Sequence, residues 1–414
     1  MKLIWIINQF ANTSEMPGHT RHHDISVGLN NKNWEVEIYA SDFNLSKRQF
    51  LKLRGIQIFS RELINNIKWN WIRVLPYKKN DWMRYLNMFS FCLNLFFIMF
   101  LKLSIGKLLG KLPDIIFGSS PQLPSAFVAL VLARLFKIPF VFEIRDLWPD
   151  VLVHLGGKSQ KNILVRFLSR LEKTLYKKSD LNIVLSKGLL SIVQSRGGKN
   201  VIWLPNGPDL NKFKFTPLPN ENDCFDHKRK FNIMYAGAHG LANALDNVVD
   251  AAIILDKNNE PINILLIGDG SEKENLILKS KGLRNIHFLD PISKNEIPQF
   301  MNSMDAILLS LDKIPLFRYA VSPNKLYDAY AVGRPIVATV PGMINQEILD
   351  NNIGITCEAR NPEKLASSIV KLMNKSRTER EKMSFSARKL ADKTYSRIKI
   401  IELLNKHLLE IIQK

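Results

Sequence analysis

Acidic residues are in short supply. The 414 residues include 38 Asp and Glu against 58 Lys and Arg, a formal net charge of +20. The excess is uneven: residues 1–200 carry 29 basic against 13 acidic side chains, and residues 201–414 carry 29 against 25. A basic first half suits an anionic partner: nucleic acid, an anionic membrane or a phosphate-bearing acceptor. No nucleic-acid-binding motif is present and the aromatics fall in apolar runs, so nucleic acid is not the expected partner. Cysteine is scarce as well. Cys92, Cys224 and Cys357 are odd in number, far apart and without metal-ligand spacing, which fits a reducing compartment and leaves no zinc site legible. Asp-x-Asp does not occur, and Leu3–Ile7 is too short for the core of a signal peptide.

Long runs that are both uncharged and continuously apolar are few. Only Leu86–Leu101 raises a transmembrane question, and as a helix its 16 residues would span about 24 Å, short of the ~20 residues a bilayer core needs. Asn87, Ser90 and Asn94 dilute it, while Arg84 before it and Lys102, Lys107 and Lys111 after it suit a helix lying in a membrane interface. A core helix packed on a sheet fits equally well; spanning the bilayer fits least.

The apolar content, 46%, supplies cores for two to three domains. Strand-like and helix-like segments alternate through both halves. The first half has strands at 2–8, 34–40, 115–118, 140–144, 181–185 and 201–204, with helices at 21–29, 125–136 and 162–177. A polar, proline-containing stretch, Lys214–Lys230, is the best linker candidate. A second series of strands and helices then runs from Asn232 to Met373. Two such series predict an α/β protein of two doubly wound, Rossmann-like domains facing a central cleft. The expected division is 1–212, 213–395 and a C-terminal helix, 396–414, packing back toward the first domain.

The most informative segment is Ser322-Pro-Asn-Lys-Leu-Tyr-Asp-Ala-Tyr-Ala-Val-Gly-Arg-Pro335. A polar turn leads into a short helix that stops at Gly333, and Pro335 opens a strand. The start of that helix brings Asn324, the amides near Leu326 and the Lys325 ammonium toward one anion, and Asp328 can reach a diol one turn on. Phosphate beside a diol is what a nucleotide offers. Two more turns follow strands: Pro17-Gly18 before a helix carrying Arg21 and His22, and Gly237-Ala-His239-Gly240. His239 is either a phosphate ligand or a turn histidine bonded to backbone. Phe142-Glu143-Ile-Arg145-Asp146-Leu-Trp-Pro149-Asp150 places charge at a strand's carboxyl end, where doubly wound folds put chemistry. An Arg145–Asp146 or Glu143–Arg145 ion pair that orders the loop is the alternative.

In order, these motifs resemble those of retaining glycosyltransferases of family 4, which have the GT-B fold. Asp328-Ala-Tyr-Ala-Val-Gly-Arg-Pro335 fits the second half of the family's nucleotide-sugar loop, with Ala320 in place of the first acid. Leu204-Pro-Asn206-Gly207-Pro-Asp209 fits a fold signature at the end of the first domain. The basic pair that usually follows the second Gly-rich turn is replaced by Ala238 and Asn243. Arg-Asp-Leu-Trp-Pro-Asp is similar to transferases of the N-acetyl-L-fucosamine transferase type. The resemblance implies a metal-independent, cofactor-free transferase that binds a nucleotide-diphosphate sugar, UDP-linked by preference, through Gly18, Gly237, His239, Gly240, Ser322, Asn324, Lys325, Leu326 and Asp328. Arg145 and Asp146 would act at the sugar, and Arg21 and His22 at the acceptor. That acceptor would be a polyprenyl-diphosphate-linked saccharide for O-antigen or capsule, used at the inner face of the bacterial cytoplasmic membrane. A nucleotide-sugar epimerase, a transferase with a soluble acceptor and a non-catalytic basic binding protein are the competing readings.

Overall fold

The computed structural model describes residues 1–16, 20–44, 49–78, 82–157, 159–219 and 230–413. Two compact units emerge: Met1–Leu204 with Ile400–Lys414, and Pro205–Lys399. These divisions fall at 204/205 and 399/400, against 212/213 and 395/396 expected from sequence. The reason is local bonding. Asn206 Nδ2 donates to Ser322 O at 3.0 Å, and Arg397 bonds Gly207 O and pairs with Asp209, so these residues belong to the second unit.

The first unit begins with β1 (Lys2–Ile7), α1 (Arg21–Asn30), β2 (Trp34–Ser41), the short pair β3 (Phe43–Asn44) and β4 (Gln49–Phe50), β5 (Phe59–Ile64) and β6 (Ile67–Ile72). It continues through α2 (Trp82–Leu108), β7 (Ile115–Ser119), α3 (Leu123–Leu135) and β8 (Phe140–Ile144). After α4 (Asp150–His154) and α5 (Ile163–Lys178) come β9 (Leu181–Val184), α6 (Leu189–Ser195) and β10 (Val201–Trp203). The sheet order is β10-β9-β8-β7-β1-β2-β6-β5, parallel except for the β5–β6 hairpin. Sequence periodicity missed that hairpin, although Asn65 and Asn66 mark it: both adopt φ near +55°, at 52° and 60°, as a two-residue hairpin turn requires.

The second unit contains β11 (Phe231–Ala236), α7 (Leu245–Lys257), β12 (Ile262–Ile267), α8 (Lys273–Lys279), β13 (Ile286–Leu289), α9 (Ile297–Asn302) and β14 (Ala306–Ser310). α10 (Asn324–Val332), β15 (Ile336–Thr339), α11 (Met343–Asp350), β16 (Gly354–Thr356), α12 (Pro362–Met373) and α13 (Arg377–Leu390) complete it. Its all-parallel order, β13-β12-β11-β14-β15-β16, reverses direction between β11 and β14, the switch point of a Rossmann sheet. The last helix, α14 (Arg397–Ile412), sends Ile400, Ile401, Leu404 and Leu408 into the first unit's core beside Ile4, Ile25 and Trp34. Ile401 covers Gly28, where a Cβ would approach it to 2.6 Å, and Trp34 Nε1 donates to Asn405 Oδ1 at 2.7 Å.

Two sequence expectations are corrected. The described part of the linker candidate does not lie free. Arg334, fully buried, donates to Thr216 O, Thr216 Oγ1, Pro217 O and Asn302 O, and Arg377 donates to Leu218 O and Pro219 O. The segment is thereby bound to the second unit as far as Pro219; residues 220–229, with Cys224, lie outside the described residues. The second correction concerns α2. It runs 27 residues, roughly 40 Å, because Lys102 does not end it. The Lys102 ammonium turns inward, 2.7 Å from Glu37 Oε2 and over the rings of Trp5 and Tyr39. It is therefore not one of the flanking cations of an interfacial helix.

Candidate active site

In the second unit the site is built around the end of β11. Tyr235 is the last buried residue before the chain turns at Gly237, and its hydroxyl donates to Ala238 O at 2.9 Å. With its proton committed there, the same oxygen accepts from Lys325 Nζ at 2.6 Å. That ammonium lies 3.8 Å from the Tyr235 ring centroid and 3.5 Å from Asn243 Oδ1. Asn243 thus serves Lys325. A Cβ on Gly237 would come within 2.7 Å of Lys325 Nζ, so glycine is needed for the ammonium to reach the turn. Gly268, after β12, is required because a Cβ there would sit 1.9 Å from Gly237 O, in the backbone of the turn itself.

Lys325 occupies the first turn of α10, where the helix dipole also favours an anion. No carboxylate pairs with it among the described residues, and loss of hydration takes its pKa down to about 7. His239 is fully buried, and neither ring nitrogen has a hydrogen-bond partner among the described residues. Burial, followed by Lys273 and then Lys325, depresses its pKa despite Asp269. The ring is held through its own backbone, which bonds Asp269 O and receives the Glu272 amide, and it lies near the rings of Tyr235 and Phe288. Two nitrogen groups with no contacting carboxylate among the described residues, beside the carboxyl end of a parallel sheet, are suited to phosphate oxygens.

The remaining expected residues sit around α10. Ser322 Oγ is 2.8 Å from the Tyr327 hydroxyl, Asn324 is exposed at the helix start, and Asp328 is partly buried one turn on. Leu326 buries its side chain, and its amide bonds Pro323 O at 3.1 Å. Gly333 ends the helix at φ 68°, where a Cβ would strike Phe215. Ala320, which the family resemblance sets at the place of the loop's first acid, is buried.

In the first unit, the carboxyl ends of β7 and β8 carry a second group of polar residues. Glu143, wholly buried, bonds Arg21 Nε at 2.7 Å, His22 Nε2 at 3.0 Å and Ser119 Oγ at 2.8 Å. Burial would raise its pKa, but Arg21 and then His22 outweigh that and hold it far below the ordinary range. His22 is lowered by its own burial although Glu143 opposes this. Arg21 also donates to Leu204 O at 3.0 Å. Both residues expected at the acceptor therefore face inward onto Glu143. Glu143 takes Arg21 and His22 as its contact partners, while Arg145 acts on Glu143 and Asp146 through longer-range charge; Arg145 and Asp146 stand at the sheet's edge. Their amides both donate to Ser120 Oγ, at 2.8 and 3.4 Å. Although Asp146 reaches the surface, desolvation among its neighbours lifts its carboxyl above the usual value, against the pull of Arg145. Asp150, at the far end of the motif, is bonded by Arg196 at 2.6 Å, and Arg196 also grips Glu172. Gly18 lies outside the described residues.

Sequence reasoning missed Tyr235 and Ser120. Tyr235 carries only the weak signal of a tyrosine ending an apolar strand, and Ser120 shows nothing beyond its place after β7. Glu143 was considered only as a partner of Arg145.

Two doubly wound Rossmann-like domains, each with polar groups at the carboxyl edge of its sheet, define the GT-B fold. Sucrose-phosphate synthase from Thermosynechococcus elongatus is similar over 100% of both chains, with TM-score 0.74 and 13% identity. HepE of Anabaena, solved in complex with UDP, is similar over 99% of this chain and 100% of that one, with TM-score 0.68 and 14% identity. In sequence, residues 19–207 match the family model "Glycosyl transferase 4-like domain" and residues 230–375 match "Glycosyl transferases group 1". The two matches together take in most of the chain, which belongs to the GT-B glycosyltransferases of family 4. Among curated relatives, the putative colanic acid biosynthesis glycosyl transferase WcaI of Escherichia coli K12 is 28% identical over 55% of this chain and 57% of its own length. The probable glycosyltransferase WbjE of Pseudomonas aeruginosa is 26% identical over 61% and 64%. The chain thus matches less than two thirds of the length of either relative.

Proposed function

We propose that the chain is a retaining glycosyltransferase whose second unit binds a nucleotide-diphosphate sugar. The observation that carries this reading is the Lys325 ammonium, placed between the Gly237 turn and the start of α10 with no acidic partner. Departure of the nucleotide diphosphate leaves anionic charge, and Lys325, the α10 dipole and His239 stabilise it with the chain's own groups, without a metal. Asp328 holds the ribose diol. Arg145 and Asp146 orient sugar and acceptor at the first unit's sheet edge. UDP is the preferred nucleotide, in keeping with the UDP complex of HepE. An N-acetylated 6-deoxyhexose such as N-acetyl-L-fucosamine is the donor sugar favoured by the Arg145–Asp150 motif.

The acceptor is a polyprenyl-diphosphate-linked saccharide of O-antigen or capsule assembly, met at the inner face of the cytoplasmic membrane. The reading is supported by α2, which is apolar on both sides: Phe91, Leu95, Met99 and Leu103 pack inward, and the outer side is apolar as well. Its amides and hydroxyl face the unit: Asn87 bonds Gln9 and Leu75 O, Ser90 accepts the Leu75 amide, and Asn94 donates to Arg73 O. Trp82, Phe89, Leu93, Phe97, Leu101, Ile105 and Leu108 face out, with Phe89 64% and Phe97 60% exposed. Lys107 and Lys111 flank the lower end of this apolar strip, as an anionic lipid surface requires.

A thermal-shift panel of UDP, GDP and their sugars tests the donor site; stabilisation by UDP is expected, about 2.7 kcal/mol at 100 times the dissociation constant. No shift with any nucleotide defeats the proposal. Incubation with donors and no acceptor is expected to give at most slow hydrolysis, whereas a new nucleotide sugar would make the chain an epimerase. Sedimentation with anionic vesicles and release by salt are expected for the membrane face; equal binding to neutral vesicles would defeat the charge argument. EDTA is expected to leave activity unchanged.

A further inference from the structure

The Asn206-Gly207-Pro-Asp209 turn has no part in the chemistry above, yet its side chains reach the nucleotide-binding loop. Asn206 Nδ2 donates to Ser322 O at 3.0 Å, three residues before Lys325. The side-chain Oγ of Ser322 meets the Tyr327 hydroxyl at 2.8 Å. Tyr327 packs in turn on Tyr395, with ring centroids 4.6 Å apart. Tyr395 is buried at the end of a π-helical turn, Ala391–Tyr395, and its hydroxyl shares the Glu347 carboxylate with that of Tyr330. Arg397 closes the ring of contacts: two residues past Tyr395, it bonds Gly207 O at 3.4 Å and lies 3.6 Å from Asp209 Oδ2. All of these residues lie within the second unit.

The loop before α10 is thus held at the carbonyl and the hydroxyl of Ser322, by segments some 115 residues before it in sequence and 70 after it. Those are also the segments by which the chain enters and leaves this unit, at 204/205 and 399/400. We infer that Asn206 and Tyr395 are positioning residues that hold the Ser322 loop, and with it Lys325, in register for the nucleotide. Occupation of the site by a nucleotide is then felt at 205–209 and 391–397. This rests on the donor-site reading of the second unit. Neither residue touches the nucleotide; each acts through Ser322.

The test uses the full chain and UDP. Asn206→Ala and Asn206→Asp both remove the amide donor and are expected to weaken UDP binding roughly 2- to 12-fold, the worth of one net hydrogen bond. Tyr395→Leu is expected to do the same, while Tyr395→Phe keeps the ring on Tyr327 and stays nearer the wild-type affinity. In wild-type protein, saturating UDP is expected to slow amide exchange in 205–209 and 391–397 as well as in 320–330. Protection confined to 320–330, or unchanged affinity in folded Asn206→Ala and Tyr395→Leu, would overturn the inference while leaving the donor site standing. If these variants do not fold, the exchange experiment on the wild type decides alone. A wild type that binds no nucleotide defeats the donor-site reading, and this inference with it.

Discussion

Each unit buries basic side chains near the carboxyl edge of its sheet, but in different company. In the first, Arg21 and His22 converge on Glu143, and Ser119 completes the group. In the second, Lys325 and His239 have no carboxylate at ion-pair distance among the described residues; a phenol, an asparagine and aromatic rings surround them. A cluster that balances its own charge holds a fold together. A cluster left positive is completed by something from outside. On the proposed reading, the comparison sets Arg21 and His22, paired with Glu143, apart from Lys325 and His239, a distinction the sequence motifs could not make.

The largest effect that could break this contrast comes from Glu143. Glu143→Ala leaves Arg21 and His22 buried without their acid and is expected to destabilise the first unit by about 3–5 kcal/mol in chemical denaturation. Because the folded Glu143 has a depressed pKa, its contribution is present above the ordinary carboxylate range and is lost as pH falls below it; the variant should show a flatter acid limb. A stable Glu143→Ala with lost activity would instead place Glu143 in the chemistry.

Next in size, Lys325→Ala should weaken UDP by roughly 10- to 150-fold, the range of a charged hydrogen bond, with little change in stability. With its pKa near 7 in the unliganded chain, the lysine must take up a proton when the diphosphate binds. Wild-type affinity measured by calorimetry should therefore fall as pH rises above about 7, by up to about tenfold per unit, and Lys325→Ala should remove that slope. An unchanged slope in the variant would assign the proton elsewhere. Asp328→Ala should cost UDP about tenfold and leave inorganic diphosphate binding intact, since only the diol is lost. The smallest effect is expected from Tyr235→Phe, which keeps the ring under the ammonium and removes only its acceptor oxygen. A loss of roughly 2- to 5-fold in UDP affinity is expected.

Much of the second unit was legible from sequence because its signals are local. The helix from Asn324 to Gly333, the turn at Gly237 and the strand after Pro335 follow from capping and turn chemistry within a few residues. The neighbours of Lys325 were not legible, since Tyr235 lies 90 positions away and only the β11–α10 arrangement brings them together. The same holds for Glu143 and Arg21, 122 residues apart. In α2, Lys102 looked like a terminus because charge usually ends an apolar run; its partner Glu37, 65 residues earlier, reverses that expectation.

The outward side of α2 has a consequence for how such a protein tolerates change. Phe89, Phe97 and Leu101 spend most of their surface on water in the isolated chain, so exchanging them for serine removes little that folding depends on. Whatever keeps them greasy must act from beyond the polypeptide's own interior. Purified without lipid, the molecule carries a sticky flank whose natural remedy is detergent, and a serine-bearing variant would be the easier one to concentrate.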